Sequence, residues 1–308
     1  MKENLTEIPS YISLFQKAGF EEKEENLKKR LYQCDLCPNE CGVNRQRGET
    51  GDCNAGSSLT ISAASPHFGE EEPLVGTGGS GTIFFCHCPM HCVYCQNYEI
   101  SQKALGYHVT EKELSQLMLK LQAKGCHNIN LVTPTHYIPY IISSIKNAIS
   151  SGLKIPIVYN TSGYESIKTL RELEGIIDIY MPDFKYWDEK LAYKYSKIHN
   201  YPEKTKDAIH EMYRQVGNLK CNTDGIAYRG LIVRHLILPN NIARSFEILK
   251  FIANEISKDT YINIMAQYHP AYHAYRYNEI NRRISREEYN KVINFAWQLG
   301  LYRGFSEI

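Results

Sequence analysis

An excess of charge of either sign is missing from this chain of 308 residues: Lys and Arg total 35, Asp and Glu 34. Bulk electrostatics therefore favours neither nucleic acid nor an acidic membrane surface as a partner. No run approaches the ~20 apolar residues of a membrane span. The first ten residues lack the basic-then-apolar layout of a signal peptide. These absences predict a cytoplasmic protein with no nucleic-acid and no membrane partner. Repeats of fixed period and low-complexity linkers are absent too, which argues against a solenoid or a tethered array. Tryptophan is scarce, at 2 residues, yet 43% of the chain is apolar and 22% charged, enough for a full globular core. The length suits one α/β barrel, which reaches ~250 residues, plus an appendage.

Cysteine is the exception to this scarcity. There are 10, and 8 fall into two groups: Cys34, Cys37, Cys41 and Cys53, then Cys86, Cys88, Cys92 and Cys95. In a reducing compartment such groups bind metal more often than they form disulfides. Cys126 and Cys221 stand alone and read as small core residues.

Along the chain, residues 1–56 read as a helical then Cys-rich segment. Residues 57–80, rich in Gly, Ser and Pro, read as an irregular connecting loop. Residues 81–308 read as a regular alternation of strands and helices. Strands are predicted near 82–85, 128–133, 155–159, 176–181, 231–238 and 261–265. Helices fall between them and at 286–299. Thr110 and Glu113 form a capping box ahead of a helix whose Leu114, Leu117, Met118 and Leu121 share one face. Strands that alternate with helices and are apolar on nearly every residue pack in parallel, covered on both faces. Six such units predict a partial (β/α)6 TIM-type barrel carrying an N-terminal Cys-rich metal-binding segment. Gly76-Thr-Gly-Gly-Ser-Gly81 precedes a strand instead of following one, so it reads as a turn and not as a dinucleotide fingerprint.

In such barrels the chemistry gathers at the C-terminal strand ends. Here the first end carries Cys88-x3-Cys92-x2-Cys95. Three thiolates can hold three irons of a [4Fe-4S] cube and leave the fourth without a protein ligand. S-adenosylmethionine (SAM) can chelate that iron, and one electron then cleaves it to a 5′-deoxyadenosyl radical able to abstract an unactivated hydrogen. The competing reading is structural zinc, with Cys86, His87 or His91 as a fourth ligand. Later strand ends carry Thr133 and Thr135, Asn160, Asp183 and Lys185, Arg234, and Gln267-Tyr-His269. The residues His136, His235 and His269 read as core histidines unless a partner shows otherwise.

The stretch Phe84-Phe-Cys-His-Cys-Pro-Met-His-Cys-Val-Tyr-Cys-Gln-Asn97 resembles the cluster loop of the radical SAM superfamily. Asn130-Leu-Val-Thr-Pro-Thr-His136, Tyr159-Asn-Thr-Ser-Gly-Tyr164, Asp178-Ile-Tyr-Met-Pro-Asp-Phe-Lys185, Arg234-His-Leu-Ile-Leu-Pro239 and Met265-Ala-Gln-Tyr268 resemble the branch related to pyruvate formate-lyase activating enzymes. The resemblance implies SAM and a [4Fe-4S] cluster as cofactors, with Cys88, Cys92 and Cys95 as its ligands. It places Tyr94 near adenine. Contacts to SAM fall to Thr133, Thr135, Asn160, Asp183, Lys185 and Arg234. It implies an electron donor such as flavodoxin or ferredoxin, and a glycine of a glycyl-radical enzyme as the substrate. Modification of a small molecule or another peptide is the alternative, and a non-enzymatic zinc module the distant one. Two departures stand out. Thr133-Pro-Thr135 replaces the branch's Gly-Gly-Glu segment, and the N-terminal cysteines are additional. Their spacing, Cys34-x2-Cys37-x3-Cys41-x11-Cys53, suits a zinc site or a second iron–sulfur cluster.

Overall fold

The computed structural model describes residues 8–305. Nine strands occur among the described residues: β1 (Thr60–His67), β2 (Ser80–Phe85), β3 (Tyr107–His108), β4 (Ile129–Val132), β5 (Ile157–Thr161), β6 (Ile179–Pro182), β7 (Lys220–Cys221), β8 (Ala227–Leu236) and β9 (Tyr261–Met265). They form one sheet in the order β3-β1-β2-β4-β5-β6-β8-β7, with β9 also paired to β8. The run β2-β4-β5-β6-β8-β9 is parallel throughout. These are the six strands that the alternation predicts. β2 and β9 do not pair, so the barrel stays open between them.

β4, β5 and β6 are short and buried along almost their whole length, because crossover helices cover the outer face, whereas β8 is longer and β9 alternates buried with half-buried positions. The helix Glu111–Ala123 leads from β2 to β4 and starts at the Thr110–Glu113 capping box. Ile138–Ser150, Ile167–Glu172, Tyr201–Val216 and Ser245–Phe251 come next along the chain. The helix between β8 and β9 begins only at Ser245 and is uneven. Asn240, Asn241 and Arg244 adopt left-handed backbone before Ser245, and Ile252–Ile256 winds wider than an α-helix.

Residues 57–80 depart from the loop reading. Thr60–His67 forms an antiparallel strand along β2, from Ile61 opposite Phe85 to His67 opposite Ser80. Only its first positions are deeply buried, so the strand carries no clear alternation. Backbone pairing to β2, not an apolar face, makes it a strand. Next comes the short helix Glu72–Val75, whose Leu74 sits among Val158, Ile179, Met181 and Ile232 inside the barrel. The Asn128 amide, just before β4, donates to the Leu74 carbonyl at 2.8 Å. This segment therefore plugs the N-terminal end of the barrel.

The N-terminal helix Ser10–Gln16 is tied to the barrel through Asp178, which is 1% exposed. Asp178 Oδ1 accepts from the backbone N–H and hydroxyl of Ser10, and Oδ2 accepts from the Ile157 N–H at 3.0 Å. Burial outweighs these bonds and raises the carboxyl from 3.8 to about 6. A folded-state value above the unfolded one means the contribution is complete below pH 4 and is lost as pH rises through 6. The wild type is expected to lose roughly 3 kcal/mol across that window. Denaturant unfolding of Asp178→Asn at pH 4 and pH 7 should show a much flatter profile. An unchanged slope would assign the pH dependence elsewhere.

Candidate active site

The loop after β2 turns sharply at His87, whose φ of 69° lies in the left-handed region that non-glycine residues rarely adopt. Backbone hydrogen bonds from distant segments fix the rest of the loop. The His87 N–H donates to Ile100, His91 to Ser196 and Val93 to Tyr195, and the His273 N–H donates to the Val93 carbonyl. The helix Glu189–Ser196 thus supplies two carbonyls to this one loop.

Each of the three thiols on the loop has its own hydrogen-bonding neighbour. Cys88 Sγ accepts from the Met90 N–H at 3.4 Å. Cys92 Sγ accepts from the Ser196 hydroxyl at 3.0 Å. Cys95 Sγ lies 3.3 Å from the Ser101 hydroxyl. Burial pushes the Cys92 thiol up to about 11, while the nearby Lys185 ammonium pulls it down. Burial drives Cys88 well above its ordinary value, with Cys92 and Cys95 adding to it and Lys185 opposing. Cys86 is different: its thiol approaches the Leu105 carbonyl at 3.6 Å on the strand side. His91 uses both ring nitrogens, on Gln102 and on the Asp52 carbonyl. Neither completes a zinc set with the triad.

Cys92 and Cys95 line a cavity of about 230 Å³ together with Tyr94, Gln96, Asn97, Asp183, Lys185, Arg234, Leu236, Met265 and Gln267. Its walls come from the ends of β6, β8 and β9 and from the cysteine loop, which places it at the C-terminal mouth. The Tyr94 ring packs edge-to-face on Tyr186 and Tyr268, and its hydroxyl accepts from Tyr186 at 2.6 Å.

Beneath the cavity lies an ion network. Arg234 Nε donates to Asp183 Oδ1 at 2.9 Å, and Nη2 to Asn160 Oδ1 at 2.8 Å. Nη1 is 3.6 Å from Glu70, while Lys185 donates to the second Asp183 oxygen at 2.5 Å. Burial would raise the Asp183 carboxyl, but Arg234 and Lys185 outweigh it and hold the group below its usual range. Glu70 goes the other way: burial lifts it to about 7, with Arg234 opposing and Glu71 reinforcing. Glu71 accepts from the Asn263 amide at 2.9 Å.

The sequence profile described as "Radical SAM superfamily" matches residues 82–228, which include this loop and the first strand ends. A protein of Methanocaldococcus jannaschii described as "Uncharacterized protein MJ0674" is 32% identical over 289 residues, or 91% of this chain and 78% of its own length. The chain belongs to the radical SAM superfamily. Three solved structures are matched, each with a TM-score below 0.5. "Structure of TYW1 with a lysine-pyruvate adduct bound" gives a TM-score of 0.46 at 13% identity, covering 70% of this chain and 71% of the other. "Native anSMEcpe with bound AdoMet" gives 0.45 at 10%, covering 68% and 56%. "Crystal structure of HydG: A maturase of the [FeFe]-hydrogenase" gives 0.48 at 11%, covering 95% and 64%.

Membership of the radical SAM superfamily implies a [4Fe-4S] cluster and SAM. The donor set fits: three thiols on one loop, each with a hydrogen-bonding neighbour, beside a cation. Among the other residues marked out by the sequence, Tyr94, Asp183, Lys185 and Arg234 line the cavity. Asn160 is held beneath it by Arg234. Thr133 ends β4 in left-handed backbone, and its N–H donates to the Asn160 carbonyl. Thr135 turns into the core, where its hydroxyl donates to Glu165 at 2.6 Å. The Tyr159 and Thr161 hydroxyls donate to Glu165 as well, and burial raises this carboxyl to about 7. His136 and His235 bond the Cys86 and Phe184 carbonyls and are core residues, whereas His269 pairs with Gln96. Cys221 lies on β7, opposite the first residues of β8 and so away from the mouth.

Sequence reasoning missed Ser196, Ser101, Glu70 and Glu71. Ser196 reaches Cys92 from a distant segment, Ser101 follows Cys95 a short way along the chain without a spacing signal of its own, and the glutamates sit in the stretch read as loop. No helix among the described residues is long and apolar enough to cross a membrane.

Arg234 compensates carboxylates from separate segments, with a side chain only 18% exposed. Arg234→Ala would leave Glu70 without a cation and Asp183 with Lys185 alone, and should cost about 3–5 kcal/mol in denaturant unfolding of the metal-free protein. Arg234→Lys should recover part of the loss. Equal stability of wild type and Arg234→Ala would show the network to be energetically idle.

Proposed function

We propose that Cys88, Cys92 and Cys95 each hold one iron of a [4Fe-4S] cluster, that the adjoining cavity takes SAM, and that a substrate hydrogen is presented at its mouth. With cluster and SAM bound and an electron supplied by flavodoxin or ferredoxin, this chemistry yields methionine and a 5′-deoxyadenosyl radical. The observation that carries the reading is the shared wall: two of the three thiols face the same cavity as Tyr94, Asp183, Lys185 and Arg234.

The chain's residues divide the work. Ser196 and the Met90 N–H donate to the Cys92 and Cys88 sulfurs and favour their anionic form, and Ser101 lies within hydrogen-bond distance of Cys95. The Lys185 ammonium offsets the thiolate charge from the cavity side. Tyr94 offers a rigid aromatic wall suited to adenine. Thr133 and Asn160, at the ends of β4 and β5, offer polar groups to the methionine or ribose part of SAM. Arg234 has its donors engaged by Asp183, Asn160 and Glu70, so it positions those groups and does not grip the SAM carboxylate with two prongs. Thr135, committed to Glu165, takes no part in SAM binding.

The rim residues Gln96, Asn97 and Gln267 are exposed. A mouth open in this way suits a loop of a partner polypeptide. The preferred reading is abstraction from a glycine Cα, as in the activation of glycyl-radical enzymes. The modest cavity also accommodates a small molecule, which keeps that second reading in play.

Anaerobic incubation of the reconstituted protein with SAM and dithionite should release 5′-deoxyadenosine. Silence from a fully iron-loaded sample would end the radical reading. Cys92→Ala should lose the cluster at this loop and all cleavage. Ser196→Ala should keep its iron and lower the cluster's midpoint potential by roughly tens of millivolts, since a hydrogen bond to sulfur is removed. Extract from cells grown on Cα-deuterated glycine distinguishes the substrates. Deuterium should enter 5′-deoxyadenosine from the protein fraction; transfer from the low-molecular-weight filtrate alone would favour the small-molecule reading.

A further inference from the structure

The N-terminal cysteines are not used by the reading above, and the fold brings them together. Cys34, Cys37, Cys41 and Cys53 all line one narrow gap, along with Arg45, Asp52 and His136. Cys34, Cys37 and Cys53 are buried, while Cys41 is partly exposed. Gly51 is required beside them, because a Cβ there would stand 2.2 Å from Cys41 Sγ. Buried Arg45, bonded to the Gly56 and His136 carbonyls, ties this lobe to the barrel.

The lobe rests directly on the loop of the first cluster. The Asn39 amide, between Cys37 and Cys41, donates to the Pro89 carbonyl at 3.0 Å, next to Cys88. His91, next to Cys92, bonds the Asp52 carbonyl at 2.9 Å, next to Cys53. Each contact thus joins a neighbour of one cysteine set to a neighbour of the other.

Four thiols around one gap suit a single zinc or the four irons of a cubane. The seating of this lobe on the loop of the first cluster favours the redox-active group, because zinc carries no electron.

We propose that Cys34, Cys37, Cys41 and Cys53 hold a second [4Fe-4S] cluster, ligated at all four irons, that passes electrons to the cluster at Cys88, Cys92 and Cys95. With no vacant iron it binds no SAM. A one-electron protein donor, or dithionite in its place, reduces it from the 2+ to the 1+ state. That electron then moves to the first cluster, where it is consumed in SAM cleavage and the second cluster returns to 2+. The electron-passing half rests on the function proposed above; the second cluster itself does not.

The test uses the full chain, reconstituted anaerobically. The wild type should hold about eight irons, and the C88A/C92A/C95A variant about four, all at the N-terminal site. The reduced variant's electron paramagnetic resonance signal should be unmoved by SAM. About four irons in the wild type with none in the variant would overturn the site, as would one zinc in their place. Any signal shift with SAM would overturn full ligation. For electron passing, dithionite is removed after full reduction and excess SAM is added. About two 5′-deoxyadenosines per chain are expected, one per stored electron; a burst of about one overturns the relay. About eight irons without cleavage would sink the proposed function and leave the second cluster standing. Cleavage with about four irons would do the reverse.

Discussion

A loop carrying three thiols has to keep one geometry while facing an open cavity, and the chain does this with backbone hydrogen bonds. His87, His91 and Val93 donate to carbonyls of Ile100, Ser196 and Tyr195, and Val93 accepts from His273. Ser196, Tyr195 and His273 lie far from the loop in sequence. The loop therefore takes its shape only when the helix Glu189–Ser196 and the segment after β9 are in place. Side-chain support for the sulfurs comes from the same pieces, since Ser196 contributes both its carbonyl and its hydroxyl. Ser196 thus helps both to position and to tune Cys92.

Charge is balanced just as locally. Asp183 sits between Arg234 and Lys185, and Arg234 in turn faces Glu70. Cations beside the thiols favour their anionic form, but a cation alone in a barrel interior is costly. The carboxylates that compensate come from the end of β6 and from the plug ahead of β2. The plug consequently has two tasks. Leu74 fills the apolar base of the barrel, and Glu70 and Glu71 reach the polar layer above it.

The N-terminal lobe is part of the same machine. Its contacts through Asn39 and Asp52 land on the residues flanking Cys88 and Cys92. Asp178 fastens its first helix to β5 and β6 through Ser10. The lobe is therefore held at both ends, with its cysteines between.

By itself the sequence determined the six parallel strands, the helix start at Thr110, and the dense Cys88–Cys95 spacing. These are legible because period, cap and spacing act over a few residues. It left residues 57–80 unread as structure, because the strand there depends on pairing with β2 and lacks a face pattern of its own. It marked Thr133 and Thr135 alike, although only tertiary packing turns Thr135 away toward Glu165. It read Asp183, Lys185 and Arg234 as separate strand-end residues. Only the folding of the sheet brought them into one network with Glu70, and only the docking of the lobe set the N-terminal cysteine segment against the loop of the other three. Contacts between segments this far apart leave no mark in local spacing, so the tertiary structure alone decided them.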